Sequence, residues 1–228
     1  AITPRNGKTV ELNALWYNAL KIMARLAEKY ENKQLCRKYL EMAEKTKKSF
    51  AEKFYNEEKH CLYDVLGDSK VRPNQLFALS LSHPIVDNAE IAEQILSTVE
   101  NKLLNKYGLK TLSSDEDGYV DVYEGSAYKR DSSYHQGITW PWLLGLYYDA
   151  LKNTMIIEKN RTKRQELEEK IIRLVDTTKE TFKTEMFERS SIGTISEIYD
   201  STEPYEERGA FAQAWSVAEV FRIVLNKR

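Results

Sequence analysis

Hydrophobic positions recur at intervals of three and four residues over most of the chain, and this spacing predicts α-helices. The clearest stripe runs from Leu12 to Tyr30, and a second one, from Leu35 to Phe54, follows after a short link. Two helices joined by so short a link are expected to form an antiparallel hairpin. Further helices are predicted in RPNQLFALSLS, after a capping Asp87, in ITWPWLLGLYYDALK, over about 161–185 and at the end of the chain.

The predicted helices are joined alternately by tight turns and by long irregular segments. The two longest run from Lys110 to about Gln136 and from Phe187 to Arg208. Segments of this length inside a compact domain are usually functional or disordered. About seven helices with little strand content predict an all-α fold in a single domain over residues 1–228. If the helices stack as αα-hairpins, the long segments gather at one end of the domain.

Composition narrows the classes of partner. The chain has 34 Lys and Arg against 35 Asp and Glu, so its net charge of -1 gives no broad attraction for nucleic acid or an anionic membrane surface. It has no apolar run near the length of about 20 residues that a membrane span requires. With only two cysteines, Cys36 and Cys61, we expect reduced thiols and a cytoplasmic protein. A single disulfide is the alternative if the chain is secreted.

The sequence offers no pattern for a metal ion or a cofactor. Its three histidines, His60, His83 and His135, are scattered and lack the paired spacing of a zinc site. A calcium loop, a glycine-rich phosphate loop and a GxSxG nucleophile motif are also missing. We therefore predict a site that uses no metal and no cofactor.

The stretch SSYHQGITWPW, residues 132–142, concentrates aromatic rings and uncharged hydrogen-bonding groups. Flat apolar faces beside neutral donors and acceptors suit a sugar ring, which has hydroxyl groups at its edge and C–H groups on its faces. This segment therefore predicts a carbohydrate site. The alternative is that Trp140 and Trp142 only pack in the core, where large aromatic side chains are common.

Hydrolysis of a sugar linkage needs two carboxyl groups. Glu197 is the best candidate, because Ile195 and Ile198 can partly desolvate it, although it could also be a solvated surface charge. Glu11, at the start of the first helix, is either the second carboxylate or a partner of the helix dipole. Arg72 could orient a carboxylate or a sugar hydroxyl, or form a surface ion pair of little energetic value.

Several motifs together resemble one known family in order and spacing. TPRNGKTVELNALWYNAL, VRPNQLFALSL, GLKTLS, YHQGITWPWLLG, GTISEIYD and ERGAFAQAWSVAE resemble the carboxy-terminal amylo-α-1,6-glucosidase region of glycogen debranching enzymes, over nearly the whole chain. The resemblance implies an α/α toroid of six helical hairpins, like that of glucoamylases. It also implies hydrolysis of α-1,6-linked glucosyl branch points in glycogen, limit dextrin or branched maltooligosaccharides, with inversion at the anomeric carbon.

The same resemblance implies roles for individual residues. Glu197 matches the general base that activates water, and rings and polar groups around it match the lining of the sugar pocket. The implied pocket and supporting residues are Tyr134, His135, Gln136, Trp140, Trp142, Glu11, Asn13, Trp16, Arg72, Asn74, Gln213 and Trp215.

One departure from the family limits what this chain is expected to do alone. The family's general acid is an Asp in a Trp-Met-Asp segment just upstream of the TPR turn, and this chain begins at Ala1, after that position. Seven helices also fall short of the twelve that six hairpins require. We therefore expect a carboxy-terminal part of a toroid, inactive alone, whose open faces meet the rest of the parent protein or a second copy.

Other interpretations remain open at this point. A glucoamylase-like, trehalase-like or phosphorylase-like enzyme could use the same scaffold, since a fold does not define a substrate. A fragment that binds glycan without cleaving it is the alternative outside enzymes.

Overall fold

A computed structural model describes residues 2–3, 5–189 and 192–225 of the chain. The described part is mostly helical, which confirms the predicted helical class, while the six-hairpin toroid remains a prediction. A 3-10 turn, Pro73–Leu76, leads directly into the third helix. The α-helices within the described ranges are α1 Val10–Lys29, α2 Lys33–Phe54, α3 Phe77–Ser80, α4 Ala89–Lys102, α5 Ala127–Ser133, α6 Leu143–Ile157, α7 Arg161–Glu188 and α8 Ala214–Leu225.

Asparagine side chains begin several of these helices. The side chain of Asn32 accepts a hydrogen bond from the Leu35 N–H at the start of α2, and that of Asn88 accepts one from the Ile91 N–H at the start of α4. The prediction that Asp87 caps the fourth helix is therefore wrong by one residue. The Asp87 carboxylate forms an ion pair with a lysine of α2 instead.

The hydrophobic core surrounds α6. This helix contacts α3, α4, α7 and α8, and most of its side chains are buried. A helix that is apolar on nearly every side belongs in the interior of a protein. The first two helices, α1 and α2, pack against each other as the predicted hairpin. Within the described part of the chain, no helix combines the length and the apolar character needed to cross a membrane. Cys36 is half-buried, Cys61 is buried, and the two thiols are free.

Short strands lie where the sequence predicted irregular segments, so the expectation of little strand content missed a sheet. A two-stranded hairpin is formed by β1 Tyr55–Asn56 and β2 Cys61–Leu62. An antiparallel sheet of five strands then runs in the order β3 Leu104–Asn105, β4 Gly108–Lys110, β5 Thr139–Trp140, β6 Ile198–Tyr199 and β7 Glu207–Arg208. Strands of two or three residues are too short to display the alternating pattern by which strands are predicted.

This five-stranded sheet brings distant parts of the chain together. Thr139 lies opposite Lys110 on one side and opposite Tyr199 on the other. Trp140 lies opposite Leu109, and Glu207 lies opposite Tyr199. The sheet therefore sets the aromatic segment before α6 beside the segment that carries Glu197.

The long segment after β4 is folded rather than extended. Its first residues continue the backbone pairing, with the Thr111 N–H donating to the Ile138 oxygen at 3.2 Å. Further along, the Val120 N–H donates to the Gln136 oxygen at 2.7 Å, and α5 lies in the part of the chain between Val120 and Gln136. The segment thus closes against the sheet at the same end as the segment around Glu197.

Candidate active site

A cleft of about 390 Å³ opens between the chain's first residues, the turn before α3, the segment around β5 and the start of α8. Its volume lies in the usual range for small-ligand sites. A wider groove of about 810 Å³ between the ends of α1 and α2 is lined mainly by charged side chains and by none of the predicted site residues. The 390 Å³ cleft is lined by Thr3, Arg5, Arg72, Pro73, Asn74, Phe77, Thr111, His135, Trp140, Trp142, Leu143 and Trp215.

Stacked aromatic rings form one wall of this cleft. Trp142 and Trp215 stack with their ring centroids 5.2 Å apart, and Trp140 meets Trp215 edge to face at 5.7 Å. His135 stacks on Trp140 at 5.4 Å. Trp140 is only 3% exposed and belongs to the core as well as to the cleft, whereas Trp215 is 44% exposed. The wall therefore has a rigid buried base and an open ring that a ligand can reach.

Glu197 lies directly before β6, outside the described cleft lining, and is joined to the wall through Tyr134. Three donors hold its carboxylate. The Ala210 N–H donates to Oε2 at 2.9 Å, and Gln213 Nε2 donates to Oε1 at 3.2 Å. The hydroxyl of Tyr134 also donates to Oε1. The Glu197 N–H donates to the Ala210 oxygen at 2.9 Å, which extends the β6–β7 pairing by a further contact. Glu197 is half-buried, and its carboxylate is not a freely solvated surface charge.

Tyr134 connects Glu197 to the aromatic wall. Its ring lies 4.7 Å from that of Trp140, and its backbone oxygen accepts a hydrogen bond from Trp140 Nε1 at 3.1 Å. Burial and the nearby Glu197 carboxylate raise the pKa of the Tyr134 hydroxyl well above its ordinary value. The hydroxyl therefore keeps its proton at neutral pH and remains a donor to Glu197.

Arg72 holds the turn that carries His135 and Gln136. Its side chain is only 4% exposed, and Nη1 donates to the backbone oxygens of His135 at 2.7 Å and Thr111 at 3.1 Å. Nη2 donates to the side-chain oxygen of Gln136. The alternative of a surface ion pair for Arg72 is therefore wrong. Burial, with the positive Arg72 a smaller contribution, lowers the pKa of His135 and keeps its ring neutral at neutral pH.

A cluster of charges lies under one edge of the cleft, and two of its members, Arg5 and Asp64, were missed in the sequence analysis. Arg5 donates to both carboxylate oxygens of Asp64, at 2.6 and 2.9 Å, and to both of Glu11, at 2.7 and 2.8 Å. Asp64 is nearly fully buried, and Arg72 Nε lies 3.7 Å from its Oδ2. Burial raises the pKa of Asp64, and the hydrogen bonds and charge of Arg5 oppose that shift. Glu11 is not among the described residues that line the cleft, and it is connected to them through Arg5.

The remaining predicted residues divide into two groups. Asn74 lines the cleft, and Gln213 bonds Glu197. Asn13 donates to the Thr9 oxygen at 2.7 Å at the start of its own helix, and Trp16 is 51% exposed on α1. Neither Asn13 nor Trp16 is among the described residues that line the cleft.

Sequence signals for Arg5 and Asp64 were present but weak. Arg5 stands in the TPRNG turn just before the first helix, and Asp64 is a lone acid between apolar residues in CLYDVLG. A charged residue inside an apolar run is usually paired when it is buried. The pairing itself joins positions 59 residues apart and is not visible in the sequence.

A helical scaffold that holds an aromatic cleft beside a hydrogen-bonded carboxylate has the features expected of a carbohydrate-active protein. A family model described as amylo-alpha-1,6-glucosidase matches residues 1–222, and the chain belongs to this family. Membership supports a function related to that of glycoside hydrolases.

The fold is also similar to part of a larger solved structure. A chain named "Sialidase" superposes with a TM-score of 0.70 and 14% sequence identity, over 95% of this chain and 20% of that one. The chain thus spans a fifth of the length of that structure. At this identity the similarity shows a shared fold alone.

Proposed function

We propose that this chain is the carboxy-terminal part of an α/α toroid glucosidase domain, in which Glu197 acts as the general base. The reaction is hydrolysis of the α-1,6-linked glucosyl unit at branch points of glycogen, limit dextrin or branched maltooligosaccharides. The anomeric carbon is inverted in a single displacement by water. Family membership and the geometry around Glu197 support this proposal.

The observation that carries the proposal is the set of three donors on Glu197. An ionised carboxylate accepts at about four positions and donates none. The contacts from Tyr134, Gln213 and Ala210 occupy three of them, and the fourth can accept a hydrogen bond from a water molecule. A fixed carboxylate with one free acceptor position matches what a general base needs in order to orient water and remove its proton.

The cleft next to Glu197 suits the non-reacting faces of the sugar. The exposed ring of Trp215 and the half-buried ring of Trp142 can stack against C–H faces. Asn74 and the neutral ring of His135 can donate to or accept from hydroxyl groups. Arg5 and Arg72 also line the cleft, but their guanidinium groups are bound to Asp64, Glu11 and backbone oxygens. The aromatic rings and uncharged polar groups that remain fit an uncharged glucosyl unit.

The general acid is proposed to come from a preceding segment of the parent protein. Besides Glu197, two carboxylates of the described residues lie near the cleft, and Arg5 binds each oxygen of both Glu11 and Asp64. Because Arg5 engages both oxygens of each carboxylate, neither group is placed to deliver a proton to a sugar oxygen in the cleft. In the intact enzyme the acid is expected about 6.5–9.5 Å from Glu197, the separation that leaves room for water in an inverting site.

Exposed apolar faces support the idea that more of the domain packs on this chain. On α1, Leu12 and Trp16 are 62% and 51% exposed, and Tyr30, directly after this helix, is 75% exposed. On α8, Phe221 and Leu225 are 42% and 65% exposed. Apolar patches of this kind are usually covered by another surface. We propose that the remaining helices of the parent toroid cover both faces.

The proposal is tested with Glu197→Gln in the full-length parent protein. Glucose release from limit dextrin should fall about 10²- to 10⁴-fold, while glycan binding is retained, because only proton removal from water is lost. Glu206→Gln, an exposed glutamate on the same hairpin, is the matched control and should leave turnover unchanged.

The stereochemistry and the substrate are tested on the unmodified parent. Proton NMR of the first product should show β-glucose, since the linkage is α and the reaction inverts. Release of α-glucose, or full activity of Glu197→Gln, would contradict the proposal. Faster release from α-1,4-linked glucan or trehalose than from limit dextrin, or activity that requires phosphate, would favour another enzyme on the same scaffold. Retained glycan binding without turnover in the unmodified parent would favour a binding role.

A further inference from the structure

An ion pair locks the hairpin that follows Glu197. Asp200, directly after β6, is 3% exposed, and its Oδ2 accepts hydrogen bonds from Nε and Nη2 of Arg208 in β7, at 3.0 and 2.8 Å. Arg208 is two residues before Ala210, whose N–H donates to Glu197 Oε2. The ion pair therefore fixes the strand that presents one of the donors to Glu197.

The other oxygen of Asp200 fastens a second segment. Oδ1 accepts the Tyr123 N–H at 2.8 Å, and the next residue, Ser201, donates its N–H to the Asp121 oxygen at 2.7 Å. The ring of Tyr123 packs against that of Tyr134 with centroids 5.6 Å apart. Tyr134 is the residue whose hydroxyl donates to Glu197 Oε1. The two oxygens of Asp200 thus support, by separate routes, one donor to each oxygen of Glu197.

From this arrangement we infer that Asp200 is a positioning residue for the general base, acting through Arg208 and Ala210 on one side and through Tyr123 and Tyr134 on the other. This inference rests on the function proposed for Glu197. Asp200 needs no contact with the substrate, because its effect is to hold the carboxylate of Glu197 in one orientation.

The chemistry of the site requires an aspartate and not its amide. Three N–H groups, two from Arg208 and one from Tyr123, point at the side chain of Asp200. A carboxylate accepts at both oxygens, whereas asparagine must turn its own N–H₂ group toward at least one of these donors. Asp200→Asn therefore breaks either the link to Arg208 or the link to Tyr123 while preserving the size of the side chain.

The test is steady-state kinetics of Asp200→Asn in the full-length parent protein with limit dextrin. We expect kcat to fall about tenfold, since a small misplacement of a catalytic group slows the reaction strongly. KM should change less than twofold, since Asp200 is not among the described residues that line the cleft. Arg208→Lys keeps the positive charge but not the two-donor geometry, so it should retain a larger part of the wild-type kcat than Asp200→Asn does. Arg208→Lys also carries the test if Asp200→Asn fails to fold.

The matched control is Asp149→Asn, which breaks a two-donor ion pair with Arg222 between α6 and α8, at 2.9 Å for both contacts. This variant should leave kcat unchanged. Equal losses of kcat in Asp149→Asn and Asp200→Asn would overturn the inference, because they would show that the loss of any such ion pair lowers kcat by destabilising the fold.

A double variant separates positioning from structure. In the Glu197→Gln background, Asp200→Asn should cause no further loss of the residual rate, because the group it positions is gone. The same tenfold loss in that background would overturn the role of Asp200. Full activity of Glu197→Gln would instead refute the function proposed for Glu197, whereas an inactive Glu197→Gln with a normal Asp200→Asn would refute only the inference about Asp200.

Discussion

Replacing Gly209 by alanine is a direct test of the geometry around Glu197. Gly209 follows β7 and precedes Ala210, and its φ of +71° is one that residues with a side chain rarely adopt. A Cβ atom built on Gly209 would overlap Oε2 of Glu197 and lie 3.0 Å from Cγ1 of Ile198. The carboxylate must therefore move, or the hairpin must open.

The size of the effect follows from these contacts. To reach ordinary van der Waals contact with the new methyl group, Oε2 of Glu197 must retreat by about 1 Å, which ends its hydrogen bond with the Ala210 N–H. A displacement of this size in a catalytic group costs about 10²-fold in rate, or about 2.7 kcal/mol of activation free energy. The left-handed backbone adds about 1–2 kcal/mol to the cost of folding.

The assay compares Gly209→Ala with Gly193→Ala in the full-length parent protein. Gly193 has a similar φ of +83°, but no atom of the described residues lies within 4 Å of a Cβ atom built there. Urea unfolding should show a comparable loss of stability in both variants. Only in Gly209→Ala should kcat for limit dextrin fall, by about 10²-fold. Equal turnover in the two variants would refute the idea that the missing side chain at Gly209 leaves the space in which the Glu197 carboxylate must lie for the proposed reaction.

Four further outcomes follow from the same structure. Tyr134→Phe removes one donor to Glu197 and should lower kcat about tenfold, with glycan binding kept, as steady-state kinetics would show. Arg5→Ala leaves buried Asp64 without its main partner and should cost about 3 kcal/mol in urea unfolding; an unchanged urea midpoint would contradict this. Burial holds the pKa of His135 in the folded protein below the ordinary value of 6.5. The neutral ring therefore supports the folded state fully above pH 6.5, and this stability is lost as the pH falls from 6.5 through the lower pKa of the folded state. His135→Gln should therefore reduce the fall in urea midpoint between about pH 7.5 and pH 5. Light scattering of the isolated chain should detect association through the apolar faces of α1 and α8, and a monodisperse monomer would count against their proposed cover.

Long amphipathic helices could be predicted from the sequence, because their apolar spacing repeats over several turns. The helix from Leu12 to Tyr30 is observed as α1, Val10–Lys29, and the segment over about 161–185 as α7, Arg161–Glu188. Their exact starts were less predictable, since Asp87 and Asn88 are both good capping residues and only the backbone decides between them. The sheet could not be predicted, because each of its strands contributes only two or three residues.

The candidate site was only partly visible in the sequence for a similar reason. Glu197 and Tyr134 were singled out because their types and motifs matched a known family. The N–H of Ala210 carries no signal, since every residue except proline has such a donor. Asp200 looked like one acid among 35, and its importance depends on the three donors that the folded hairpin turns toward it.

The helices position the aromatic rings of the site, and the five-stranded sheet positions the carboxylate of Glu197. The cleft takes its rings from the ends of two helical regions, with Trp142 just before α6 and Trp215 in the first turn of α8. The carboxylate of Glu197 is set by β6 and β7, and β5 links it to the ring of Trp140. Helices alone could place the rings but would leave the carboxylate on a mobile loop. Because β6 begins at the next residue and pairs with β7, a protein built mainly of helices holds the carboxylate of Glu197 within hydrogen-bonding distance of fixed donors.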